Sequence, residues 1–177
     1  LERLPDLVAE CGSRWSLSVM PPFAPLSYNY VAPAVRADGT EAVLKLGVPH
    51  RELVTEIEAL RLYDGRGMAR LLEADADRGA MVLERLRPGA PLSDISDDDR
   101  AASIAAGLMT RLQRPAPPDH PFPTVEDWAA GLRRLRARFD GGTGPLPDAL
   151  VERAESLFSE LIDTMGPPVV LHGDLHQ

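Results

Sequence analysis

Apolar and polar positions alternate with period two over Trp15-Ser16-Leu17-Ser18-Val19, the rhythm of a half-buried strand. Residues 31–36 read as a second short strand, Asp38-Gly39 as a tight turn, and Glu41-Ala42-Val43-Leu44-Lys45-Leu46 as the returning strand of an antiparallel hairpin. After Pro49 the period lengthens. Leu53, Ile57, Leu60 and Tyr63 or Asp64 fall on one stripe of a helix, and Gly65 is a fitting stop. Residues 71–74 and 80–83 read as two more strands joined by a turn at Asp77-Arg78-Gly79, and Arg87-Pro88-Gly89 breaks the pattern.

The second half is helical. Ser96 with Asp99 suggests an N-cap, and Asp97 to Asp99 suit the positive end of a helix dipole. Ile104, Ala105, Leu108, Met109 and Leu112 give that helix an apolar face. A proline-rich connection over 115–123 follows. Thr124 and Asp127 then suggest another cap, before a helix carrying Trp128, Leu132, Leu135 and Phe139 that Gly141-Gly142 end. A further helix carries Leu150, Ala154, Leu157, Leu161 and Met165 and stops at Gly166-Pro167. Strands with one helix, then helices, predict an α+β chain or two lobes, with the switch near residues 86–91.

Composition narrows the function. Of 177 residues, 44% are hydrophobic and 26% charged, as in an ordinary globular chain. A net charge of -8 argues against a nucleic-acid footprint, which needs a basic face. It is compatible with a cationic partner, but simple solubility is the first reading of an acidic chain. The single cysteine, Cys11, has no His or Cys at metal-ligand spacing and reads as a buried or idle thiol. No apolar run approaches the ~18 residues of a membrane span. No basic segment leads into an apolar one at the start, so cytoplasm is the expected compartment. Both ends read as trimmed: the chain starts at Leu1 rather than Met and stops at Gln177 without a helix, cap or tail.

Three residues could carry chemistry. The apolar run Val169-Val170-Leu171 delivers His172-Gly173-Asp174, where Gly173 permits tight backbone geometry and Asp174 could orient a substrate hydroxyl and accept its proton. Alone, the tripeptide reads first as an Asp capping a turn, and as a catalytic loop only second. Lys45 lies in a mostly apolar strand and would share a face with Val43 and Gly47, either toward solvent or into a cleft where an ammonium could hold phosphate oxygens. Glu56 falls among Leu53, Ile57 and Leu60 on the inward stripe of its helix, so it needs a cationic partner, and Lys45 is the natural one. Glu58, nearer the polar side, ranks second.

The order of these parts resembles a protein-kinase-like fold: strand lysine, helix with an inward glutamate, two strands, a linker, helices, then strand-His-Gly-Asp. The chain is similar to the aminoglycoside and hydroxyurea phosphotransferases, most closely to their streptomycin 6-kinase branch. The strongest stretches are Pro25-Leu26-Ser27-Tyr28-Asn29-Tyr30-Val31-Ala32-Pro33, Ala42-Val43-Leu44-Lys45-Leu46-Gly47-Val48-Pro49, Glu56-Ile57-Glu58-Ala59-Leu60-Arg61-Leu62-Tyr63, Leu83-Glu84-Arg85-Leu86-Arg87-Pro88-Gly89 and His172-Gly173-Asp174-Leu175-His176.

The resemblance implies a β-rich N-terminal ATP-binding lobe over 1–86. It also implies an incomplete helical C-terminal lobe over 87–177 that ends in the catalytic loop. It implies that Lys45 binds the ATP phosphates and pairs with Glu56. The loop of Ser27, Tyr28 and Asn29 covers the phosphates through side-chain contacts, since it has no glycine. Glu84 and Leu86 hold adenine through the backbone, and Met81 and Leu83, also core residues, line its pocket. The resemblance implies that Asp174 is the catalytic aspartate for the acceptor hydroxyl. His172 supports the loop, and His176 lies behind it or is idle. The acceptor implied is an aminoglycoside hydroxyl, in an antibiotic-resistance role; the alternatives are a kinase of the same fold acting on choline, a sugar or another metabolite, and a nucleotide-binding relative that has lost the chemistry. Asp94, Asp97, Asp98 and Asp99 could attract a cationic sugar, or simply begin a solvated helix. The magnesium ligands are expected beyond Gln177.

Overall fold

The structure, a computed structural model, describes residues 3–24 and 28–173. Among these residues it is α+β, with five α-helices and a five-stranded antiparallel sheet. The elements run α1 (Leu4–Trp15), β1 (Leu17–Val19), β2 (Tyr30–Arg36), β3 (Glu41–Leu46), α2 (Arg51–Tyr63), β4 (Leu71–Asp75) and β5 (Ala80–Glu84). They continue with α3 (Asp98–Leu112), β6 (Arg114–Pro115), α4 (Val125–Arg138), α5 (Asp148–Thr164) and β7 (Val169–Val170). The chain packs as two compact units, Leu1–Gln113 with Leu171–Gln177, and Arg114–Val170. This division by internal packing differs in kind from the functional lobes expected to meet at Leu86.

In the first unit the sheet order is β1-β2-β3-β5-β4. Alternation along β3 separates its two faces. Ala42, Leu44 and Leu46 point to one side and join Cys11, Ala80 and Val82 in a core that α1 covers with Leu4, Leu7, Val8 and Trp15. Val43 and Lys45 point to the other side. There Met81 packs with Leu53, Ile57 and Leu60 of α2. The helix α2 starts where the His50 side chain accepts the Leu53 N–H at 3.2 Å. Its last turn is tied to α3 through the buried Tyr63 hydroxyl, which donates to the Leu112 carbonyl at 2.6 Å.

The sequence reading missed α1 and began the first strand too early. Leu4, Leu7, Val8, Cys11 and Trp15 form a helical stripe, with a proline in the first turn. Ser16 then takes a left-handed φ of 54° and its N–H closes the helix on the Gly12 carbonyl, so Trp15 ends α1 and the strand begins at Leu17. Likewise Asp64, at φ 46°, ends α2 one residue before Gly65. The cap of α3 is Asp97, which accepts the Arg100 N–H at 3.0 Å, rather than Ser96.

In the second unit α4 packs with α5, and β6 pairs with β7. The expected capping box forms: Thr124 Oγ1 accepts the Asp127 N–H at 3.1 Å and Asp127 accepts the Thr124 N–H at 2.9 Å. Arg136 grips Glu155 with two bonds of 2.7 Å. The stripe read for α5 is rotated from the one that is covered. Leu150, Leu157, Leu161 and Met165 are exposed, whereas Val151 is buried and Ala154, Phe158 and Ile162 are partly so. This helix is apolar on two adjoining stripes, and periodicity alone could not choose between them. In α3 likewise only Ala101 and Leu112 are buried, and Ile104 and Met109 are exposed. No helix among the described residues is long and apolar enough to cross a membrane.

Candidate functional site

Strand register lines up two rows of side chains on the α2 side of the sheet. One row runs Val31, Lys45, Met81 and Ala74, and the next runs Pro33, Val43, Leu83 and Leu71. Within this apolar field Lys45 is the cation. Its Nζ donates to Glu56 Oε1 at 2.5 Å, with the lysine side chain 20% and the glutamate side chain 36% exposed. The competing acid, Glu58, binds Arg61 on the helix surface instead. A partly exposed pair of this kind adds only about 0–1 kcal/mol to stability. Its consequence is geometric: the ammonium is held over the sheet, beside the partly exposed Val31, Val43 and Leu83. Partly exposed apolar side chains next to a positioned ammonium are suited to a purine carrying phosphates.

Tyr28 and Asn29 directly precede β2, at one end of this surface. Tyr28 is almost fully exposed, and Ser27 lies outside the described residues. Asn29, partly buried, sets its side-chain oxygen against Gly47 at the end of β3. On the near side of the loop the Phe23 N–H donates to the Val31 carbonyl at 2.9 Å, and the Arg85 guanidinium stacks 4.6 Å over the Phe23 ring.

At the exit from β5 the expected adenine-binding residues divide. Met81 is fully buried under α2, so its side chain is core, while Leu83 is partly exposed on the same face. The Glu84 carboxylate accepts the Arg70 N–H at 2.8 Å, so that side chain fastens β4 to β5. Leu86 is exposed. Arg87 reaches back to Glu41 on β3 at 2.5 Å, and its hydrogen bonds hold the Glu41 carboxyl below the usual carboxylate range. This tie, the Arg85–Phe23 stack and the Gly47 contact were not read from the sequence, because each joins residues far apart in the chain.

Asp174 and His176 lie outside the described residues, as does Ser27. His172 and Gly173, just before Asp174, are exposed, with Gly173 at φ 79°. The structure thus brings together Lys45, Glu56 and the adjoining apolar face, with Asn29 at its edge. Cys11 is 1% exposed, and burial, with the nearby Asp75 and Glu10 charges, pushes its thiol up. No group of three or more His, Cys, Asp or Glu among the described residues is arranged to hold a metal ion.

The family of aminoglycoside/hydroxyurea antibiotic resistance kinases matches this chain over residues 15–177. The chain belongs to that family. Its α+β architecture is accordingly the protein-kinase-like, two-lobed fold of these resistance kinases. Among curated proteins it is similar to a streptomycin 6-kinase of Streptomyces griseus, 36% identical over 192 residues that cover 98% of this chain and 56% of that protein. It is similar to a hydroxyurea phosphotransferase of Kitasatospora aureofaciens, 40% identical over 182 residues covering 99% of this chain and 52% of that protein. A streptomycin 6-kinase of Streptomyces glaucescens is 35% identical over 173 residues, covering 98% and 56%. The chain therefore spans about half the length of the curated relatives it matches.

Proposed function

We propose that the complete protein is an ATP-dependent phosphotransferase that moves the γ-phosphoryl group to a hydroxyl of an aminoglycoside of the streptomycin type. The role would be antibiotic resistance in the cytoplasm, where ATP is held. The observation that carries this reading is the Lys45–Glu56 pair at 2.5 Å, set on an apolar sheet face within a chain of the resistance-kinase family. Two of the relatives are streptomycin 6-kinases, which favours that acceptor.

In this reading residues 1–86 form the ATP-binding lobe and 87–177 begin the acceptor lobe. Lys45, oriented by Glu56, offsets charge on the α- and β-phosphates. Val31, Val43 and Leu83 take one face of the adenine, and the backbone of Glu84 and Leu86 binds its edge. The side chains of Ser27, Tyr28 and Asn29 close over the phosphates. Asp174 orients the acceptor hydroxyl and takes its proton as the oxygen bonds to the γ-phosphorus and the bond to the β-phosphate oxygen breaks, leaving ADP. Magnesium, when bound, would supply charge neutralisation at the phosphates. Catalysis of this type is mostly positioning and electrostatics.

A second acceptor has its own support. The hydroxyurea phosphotransferase is 40% identical, so a small N-hydroxy compound is the competing substrate class. The test is an assay of the complete gene product with ATP and magnesium against streptomycin, hydroxyurea, choline and a fructosamine, with products read by mass spectrometry. A single phosphoryl group gained by streptomycin is expected. Transfer to hydroxyurea alone would move the acceptor, and transfer to choline or the fructosamine alone would overturn the resistance reading.

A further inference from the structure

We infer that Gly47 is a positioning residue for the phosphate-covering loop, acting as a seat for the Asn29 side chain. The inference rests on the ATP-binding reading of Lys45, and it assigns a task to a residue that reading leaves idle.

The geometry is specific. Tyr30 pairs with Leu46 in the β2–β3 ladder, so Asn29 and Gly47 meet one step past its end. A Cβ placed on Gly47 would stand 2.6 Å from Asn29 Oδ1 and 3.6 Å from Asn29 Cγ. The oxygen end of the carboxamide is thus turned onto Gly47. Gly47 lies two residues after Lys45, so the seat is at the edge of the ammonium site.

The seat is itself fixed from behind. The Gly47 N–H donates to the Gly79 carbonyl at 2.8 Å. Gly79 sits at φ 68°, and a Cβ there would overlap the Gly47 carbonyl oxygen. The β4–β5 turn therefore pins the end of β3, and the end of β3 receives Asn29. Gly47 itself has no left-handed φ, so alanine fits its backbone, and the Gly47→Ala variant tests contact with the side chain rather than backbone strain. Leu53 Cδ1, at 3.3 Å from the added methyl, is the end of a side chain that can give way.

The experiment is a double-mutant cycle on the complete gene product, using Gly47→Ala, Asn29→Ala and both together. With ATP varied at saturating acceptor, Gly47→Ala is expected to raise KM for ATP roughly tenfold while kcat moves much less, the effect of misplacing a binding loop. Asn29→Ala alone should raise KM by a similar factor, and the double variant should be no worse than the poorer single. KM unchanged in Gly47→Ala, or a double variant showing the full product of both effects, overturns the inference. If Gly47→Ala does not fold, the Asn29→Ala change in the same chain should restore folding, and failure to restore it also overturns the seat. If the wild-type protein neither binds nor uses ATP, the kinase reading falls. The seat is then judged by melting temperature, where Gly47→Ala must destabilise the wild type more than the Asn29→Ala variant.

Discussion

Lys45 Nζ lies 2.5 Å from Glu56 Oε1, joining the third strand of the sheet to the helix that follows it. The pair is too exposed to be a main source of stability, so its loss should separate activity from folding. Lys45→Ala is expected to lower kcat/KM for ATP by about 10²–10³-fold. Its effect on stability should stay near 1 kcal/mol or below. Glu56→Gln should cost less activity, because the ammonium remains but loses its orientation. Steady-state kinetics beside urea unfolding checks both. Equal losses of stability and activity would mean a structural pair.

The buried Tyr63–Leu112 hydrogen bond is a polar tie between α2 and α3. Tyr63 is 3% exposed, and its hydroxyl meets the Leu112 carbonyl at 2.6 Å. Tyr63→Phe keeps the ring but leaves that carbonyl without its donor, so a loss of about 1–3 kcal/mol is expected by chemical denaturation. An unchanged midpoint would show that water or another donor replaces the hydroxyl.

Helix α4 depends on its capping box. Thr124→Ala removes the acceptor for the Asp127 N–H and should cost about 1 kcal/mol. Thr124→Ser, which restores an oxygen, should recover most of it. Amide exchange in the first turn of α4 is the local readout, and equal protection in all three proteins would contradict the role.

Acid stability of the first unit should carry an Asp75 signature. Burial pushes this carboxyl up, but hydrogen bonds from the Arg78 N–H and guanidinium, with the Arg14 charge, outweigh burial and hold it below the ordinary aspartate range. A group depressed on folding stabilises above its unfolded pKa, about 3.9, and that contribution is lost as pH falls through the folded value. Unfolding free energy should therefore fall below about pH 4 more steeply in the wild type than in Asp75→Asn. Parallel pH profiles for the two proteins would contradict the assignment.

Much of this was legible in the sequence, for identifiable reasons. Strand alternation put Lys45 on the face opposite Leu44, and the helix period put Glu56 beside Ile57, so their meeting followed from two simple rhythms. The α1 stripe of Leu4, Leu7, Val8 and Cys11 was equally regular, yet the alternation from Trp15 masked its end, because the left-handed Ser16 leaves no mark on hydropathy. The choice between Ser96 and Asp97 as cap, and between two apolar stripes on α5, depends on packing that a short pattern does not contain. The Gly47 seat was hidden for a deeper reason: it exists only where Asn29 and Gly79 converge from separate hairpins.

The most direct test of the account is a crystal structure of the complete gene product with a non-hydrolysable ATP analogue and magnesium. The account predicts Lys45 Nζ within about 3 Å of an α- or β-phosphate oxygen, with Glu56 still on the lysine and the purine against Val43 and Leu83. A nucleotide bound elsewhere, or Lys45 turned from the phosphates into solvent, would contradict it.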